Sequence, residues 1–163
     1  MLPSSVNIRP ATASDIPELL ALMKALAEFE GYSDQFAVTE EAVHERLIEH
    51  QSIQILVADT HDQLAGMLVS YELPFTYDLS PWLYIKELYV CPKFREQGVA
   101  NALFKNLACL GNERGVSKIR WDVLKTNIKA QKFYQSQGAQ HDASWQLYSL
   151  STTEISNLAQ FKN

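Results

Sequence analysis

Two short stretches of this 163-residue chain combine residue types and spacing that could do chemistry. The first, Arg95-Glu96-Gln97-Gly98-Val99-Ala100, lies where a strand-like run gives way to a helix-like one. A glycine at such a junction lets backbone N–H groups approach a ligand with no side chain in the way, and the helix start adds partial positive charge. Phosphate suits such a turn. The spacing is neither the dinucleotide nor the Walker pattern, since their glycines are absent and no Lys-Ser/Thr pair follows. From this stretch alone a plain helix start reads equally well. The second runs from Asn127 to Gly138, where Asn127, Ala130 and Tyr134 are three and then four apart and share one helix face. A polar cap, a small residue and a phenol then look the same way. Simple capping by Asn127 with Ala130 and Tyr134 as core is the other account.

Charge is segregated along the chain. Residues 28 to 49 hold seven acids against Arg46, a net of -6, while residues 86 to 132 hold ten bases against four acids, a net of +6. Each block is either a solvated face or half of a pair serving one cationic and one anionic ligand. The overall charge of -5 argues against nucleic-acid binding. His44, His50, His61 and His141 make no zinc-type spacing with Cys91 or Cys109, so no metal is expected. Both cysteines read as reduced thiols, because a domain of this size needs no staple. Met1-Leu2-Pro3-Ser4-Ser5 lacks the basic cluster and apolar stretch of a signal peptide, and no window reaches the roughly 18 apolar residues of a membrane span. The expected location is cytoplasmic, away from membranes.

At 47% hydrophobic and 20% charged residues, the composition is that of one soluble globular domain spanning 1–163. Val6 to Arg9 alternates like a strand, and Thr12 or Ser14 caps a helix carrying Ile16, Leu19, Leu20, Met23, Leu26 and Ala27 up to Gly31. Thr39 opens a second helix to about His50. Ile53 to Val57 and Ala65 to Leu73 form a hairpin, and Trp82 to Cys91 adds a strand. Gly98 to Arg114 reads as a helix, Ile119 to Val123 as a strand, and Asn127 to Gln137 as a helix ended by Gly138. Trp145 to Leu150 alternates like a last strand, and a short helix follows from Thr152.

Both stretches in this order, about thirty residues apart, resemble the GNAT acetyltransferase superfamily. Its loop pattern Gln/Arg-x-x-Gly-x-Gly/Ala is met by Arg95, Gly98 and Ala100, and its later pattern by Asn127, Ala130, Tyr134 and Gly138. Within it the chain is most similar to the spermidine/spermine, diamine and thialysine acetyltransferase group. The segments that carry this are Ile8-Arg9-Pro10-Ala11-Thr12, Leu26-Ala27-Glu28-Phe29-Glu30, Phe75-Thr76-Tyr77-Asp78 and Lys132-Phe133-Tyr134 with Gly138-Ala139. The resemblance implies an α/β (α+β) fold, with a mixed sheet of six to seven strands flanked by four to five helices. It implies acetyl-CoA as co-substrate, a homodimer, and a polyamine, diamine or lysine analogue as acceptor held by Glu30 and Asp78. An aminoglycoside-type acetyltransferase and a non-catalytic acyl-CoA-binding module are the alternatives.

The acyl carrier would then sit on Leu88, Val90, Arg95, Glu96, Gln97, Gly98, Val99, Ala100, Asn127, Ala130 and Tyr134. Where the group tends to have two acids in the strand before the loop, this chain has Lys86-Glu87, leaving one carboxylate. Glu87 is the expected base, acting directly or through water, with an ion pair to a neighbouring base as the other account. A backbone N–H near Leu88 or Val90 would stabilise the carbonyl oxygen, and in the family the tyrosine at the position of Tyr134 protonates the leaving thiolate. Cys91 could carry an acyl group instead, but direct transfer is the simpler reading.

Overall fold

A computed structural model describes residues 6–74 and 77–160. Met1 to Ser5, Phe75 and Thr76 lie outside the described residues. The chain divides into two compact units, 1–122 and 123–163.

The first unit is built on a five-stranded sheet: β1 (Asn7–Pro10), β2 (Gln54–Asp59), β3 (Leu64–Leu73), β4 (Trp82–Val90) and β5 (Lys118–Trp121), in that spatial order. The first four strands are antiparallel and β5 runs parallel to β4. Helices α1 (Ile16–Glu30) and α2 (Glu40–His44) pack on one face and α3 (Val99–Glu113) on the other. The apolar spacing of α1 explains its docking: Leu19, Leu22, Met23 and Leu26 bury against Val57, Met67, Val69 and Tyr89. On the opposite face Val99, Leu103 and Leu107 of α3 bury against Leu68, Leu83 and Ile85. α1 ends at Gly31, whose φ of 82° is left-handed and whose N–H bonds the Ala27 carbonyl at 2.9 Å. The helix opened by Thr39 is α-helical only to His44; Glu45–Glu49 continue it as a wider π turn.

Gly66 shows why β3 and β4 approach closely. A Cβ there would stand 2.6 Å from the Tyr89 carbonyl oxygen, so no side chain fits.

The second unit holds α4 (Ile128–Ser136) and α5 (Thr152–Gln160). The expected strand from Trp145 to Leu150 does not form, and the sheet has five strands among the described residues, not six or seven. Alternating apolar residues make a strand only where a neighbour takes up their backbone hydrogen bonds. Here no ladder pairs the segment, and Leu147 and Tyr148 are 81% and 85% exposed.

Candidate active site

The geometry of β4 is set by one extra residue. Val69 of β3 pairs with Glu87, but the next β3 residue, Ser70, pairs with Ile85, so Lys86 is a bulge. Past the bulge the alternation is regular. The Cys91 amide donates to the Ala65 carbonyl at 2.9 Å, so the amides of Tyr89 and Glu87 point to β3 as well. Those of Leu88 and Val90 therefore point the other way. On that side the β5 ladder ends at the Ile85 and Trp121 pair, short of both residues. β4 thus carries two outward amides that neither sheet neighbour uses.

The loop after β4 is tied back onto it. The Arg95 Nε donates to the Val90 carbonyl at 3.0 Å, and the guanidinium lies over the rings of Phe29 (5.2 Å) and Tyr89 (5.7 Å). Gln97 Nε2 donates to the Lys93 carbonyl at 2.8 Å. Glu96 and Gly98 both take left-handed backbone, with φ of 63° and 81°. That turn opens α3, with Gly98 as its cap, Val99 and Ala100 as its first residues, and no side-chain hydrogen bond from the cap. First-turn amides without a capping side chain are a ready anion cradle.

Glu87 shares the α1 side of the sheet with Val69 and Tyr89. Its Oε2 is buried and has no hydrogen-bond partner among the described residues. Burial pushes its carboxyl above the usual range; Lys86 opposes this and Glu30 adds to it. Glu30, the last residue of α1, is also raised, by burial, against the pull of Lys86. Tyr32 is a third member of this group. Its phenol is raised by burial and by the charges of Glu87 and Glu30, so it lies within electrostatic reach of both carboxylates. No spacing rule marks it; the only sequence signal is that Gly31 turns the chain back just before it.

Of the acidic block, Glu30 is the member that reaches Glu87. Glu40, Glu41 and Glu49 line a separate cleft of about 420 Å³ with Ile16 and Pro17, at the other end of α1. Asp78 accepts the Ser80 amide at 3.1 Å in the loop before Trp82. Trp82 is five residues from Glu87, about 16 Å along a strand. The structure therefore groups Glu30 with Glu87 and leaves Asp78 at the far end of β4.

In the second unit Asn127 Oδ1 accepts the Ala130 amide at 3.1 Å and caps α4, on which Tyr134 lies four residues after Ala130. Gly138 ends the helix with a φ of 86°. Neither cysteine is disulfide-bonded; Cys91 is half-buried and burial raises its thiol, which disfavours the nucleophilic thiolate. Among the described residues no three His, Cys, Asp or Glu side chains cluster to hold a metal, and no helix is long and apolar enough to cross a membrane.

A strand with an internal bulge, outward amides and a glycine-capped helix behind it invites comparison with known proteins. Residues 19–139 match the model of the acetyltransferase (GNAT) family. The chain belongs to that family. It is an N-acetyltransferase, of a family that uses acetyl-CoA and an amine. A thialysine N-epsilon-acetyltransferase from Sus scrofa is 32% identical over 145 residues, which cover 83% of this chain and 85% of the relative. An integron cassette protein from the mobile metagenome of V. cholerae superposes with a TM-score of 0.81 at 25% identity, covering 96% of this chain and 98% of its own. An aminoglycoside acetyltransferase from an uncultured soil metagenomic sample has a TM-score of 0.78 at 21% identity, covering 93% and 100%.

Proposed function

We propose that the chain, with 1–163 serving as one transferase domain, moves an acetyl group from acetyl-CoA to a primary amine of a small polycationic acceptor by direct attack. Polyamines, diamines and lysine analogues make up that class. The single observation that carries this reading is the buried Oε2 of Glu87, which has no hydrogen-bond partner among the described residues and lies one and three residues before the outward amides of Leu88 and Val90. An unsatisfied buried carboxylate costs stability and is rarely kept without use. The thialysine acetyltransferase relative favours the same acceptor class.

The residues present fit the acyl carrier. The uncapped first turn of α3 and the Gly98 turn would hold its phosphates, and Asn127 and Ala130 would contribute from α4. Acetyl-CoA supplies the acyl group already activated as a thioester. The amides of Leu88 and Val90 would donate to the carbonyl oxygen as negative charge develops there. An alkyl amine with a pKa near 10.4 costs about 4.6 kcal/mol to deprotonate at pH 7. Glu87 would take that proton at Oε2, directly or through water, and its raised carboxyl pKa makes it a stronger base than an exposed glutamate. Glu30 would hold the incoming ammonium, with Asp78 as a more distant acid. Arg95 and Gln97 would act by shaping the loop, since both are tied to backbone carbonyls. Tyr134 is assigned the proton delivered to the departing thiolate; what supports this is the Asn127, Ala130, Tyr134 and Gly138 pattern and the Asn127 cap that starts its helix. The reading also takes the protein as a cytoplasmic homodimer without a resident metal.

The soil-metagenome aminoglycoside acetyltransferase favours a second acceptor class, the aminoglycosides, which are also multiply cationic. Coenzyme A release measured with spermidine, spermine, putrescine, diaminopropane, thialysine and an aminoglycoside tests both. Release with the small amines supports the first reading, release with the aminoglycoside alone replaces it, and no release with any of them overturns amine transfer.

A further inference from the structure

Beyond the bulge, the α1 side of the sheet carries a polar pair that the mechanism above does not use. Tyr84 of β4 donates its hydroxyl to Asp122 Oδ2, just past the end of β5. Tyr71, its partner across β3, stacks on the Tyr84 ring with centroids 5.2 Å apart. Because Val69 and Tyr71 are two apart on β3 and pair with Glu87 and Tyr84, those four side chains share one face. The bulge at Lys86 is what keeps Glu87 and Tyr84 on that face despite their odd spacing.

Asp122 follows Trp121, which pairs with Ile85, so it stands one strand over and level with the bulge. Strand geometry puts it about 5–10 Å from Glu87. It is exposed, and burial and the Asp122 bond raise the Tyr84 phenol, which is the donor with Asp122 Oδ2 the acceptor. The charged groups that face it are the acids Glu87, Glu30 and Asp122 and the bases Lys86, Arg95, Lys118 and Arg120, of which Arg120 pairs with Tyr84 across β5. Lys118 and Arg120 on β5 lie over the Trp82 ring, at 4.7 and 4.8 Å. An exposed hydrogen bond adds little to folding by itself. Its effect here is to fix where a carboxylate stands.

We infer that Asp122, aimed by Tyr84 and backed by Tyr71, is a specificity residue that takes the second ammonium of a diamine whose first amine is delivered to Glu87. Two carboxylates a short chain apart on one face select acceptors with two charges over those with one, and the stacked phenol rings give the apolar methylenes between them a surface to pack on. This rests on the amine-transfer reading of the same site and names how it chooses its acceptor.

The test compares kcat/KM for butane-1,4-diamine and for butylamine, which differ only in the second amine. In the unmodified protein the diamine is preferred, and Asp122→Asn lowers that preference by about ten-fold. Tyr84→Phe keeps the stacked ring, loses the bond, and lowers the preference in the same direction by less. A uniform fall for both amines in Asp122→Asn, with the preference kept, overturns this inference while amine transfer stands. Absence of coenzyme A release from either amine in the unmodified protein overturns amine transfer itself, and this inference with it.

Discussion

An acid stands near each end of helix α1, and the two are treated in opposite ways. At its start Asp15, 7% exposed, accepts Arg9 Nη1 and Nη2 at 2.8 and 2.9 Å and the Thr12 amide and hydroxyl at 2.7 and 2.9 Å. Arg9 also donates from Nε to Asp59 on β2 at 2.9 Å, so β1, β2 and the helix start are tied in one knot. The Arg9 guanidinium holds the Asp15 carboxyl at about 2. Near the other end Glu87 of β4 has a buried oxygen with no partner among the described residues, a like charge on Glu30 nearby, and a carboxyl pushed up by burial. Satisfied burial stabilises a fold, whereas unsatisfied burial persists where another demand holds it in place. The first acid belongs to the architecture; the second is the proposed base.

Glu87→Gln breaks the comparison most strongly, because it makes the two ends of α1 alike in cost without making them alike in role. A base contributes about 10²- to 10⁴-fold, so steady-state kcat/KM should fall by that much. Folding should move the opposite way. A carboxyl whose folded pKa is raised favours the native state below its ordinary pKa, and that contribution is lost as pH rises through the raised value. Above the ordinary glutamate range the native state therefore bears a burial cost that glutamine lacks, and thermal unfolding at about pH 7.5 should show the variant more stable than the unmodified protein. A variant that is less stable and fully active would put Glu87 among the structural acids.

Asp15→Asn makes the complementary change and is smaller in its consequence. The lowered carboxyl contributes about 2 kcal/mol at neutral pH, from a shift of nearly two units between the unfolded and folded chain. That contribution is present above the unfolded pKa and is lost as pH falls from about 4 to about 2. Urea unfolding at pH 7 should therefore show a loss of about 2 kcal/mol for Asn, shrinking toward zero at pH 2, while the folded variant keeps its acetyl-transfer rate. Equal stability at both pH values would remove the knot from the list of what holds β1 to the helix.

The contrast also explains what the sequence could and could not reveal. The elements of the first unit were legible because apolar period and punctuation agree, as at Leu19, Leu22, Met23 and Leu26 before Gly31. The Gly98 turn and the Asn127 cap were legible because glycine and asparagine there have narrow backbone roles. The bulge at Lys86 was not, since it is a property of pairing with β3 and leaves no mark on β4 alone. Tyr32 and the Tyr84 to Asp122 bond were hidden for the same reason: each joins elements distant in the chain. Trp145 to Leu150 misleads in the other direction, because it alternates like a strand where no neighbouring strand pairs with it. Periodicity reports what a segment could pair with; it does not supply the partner.

The smallest effect is also the sharpest, because it asks how the unsatisfied end is tuned. Glu30 and Lys86 act on Glu87 with opposite signs, the first raising its carboxyl and the second lowering it. If Glu87 must lose its proton before it can accept one from the amine, kcat/KM rises with pH through that carboxyl's pKa, and the acid limb of the profile lies above the usual glutamate range. Glu30→Gln removes the like charge and should move that limb to lower pH. Lys86→Met removes the opposing charge and should move it higher. Acceptor KM should rise in Glu30→Gln alone, since Glu30 would also hold the ammonium. A limb that ignores both substitutions would mean that the group titrating in the free enzyme is not Glu87, and the distinction between the two ends of α1 would then rest on burial without chemistry.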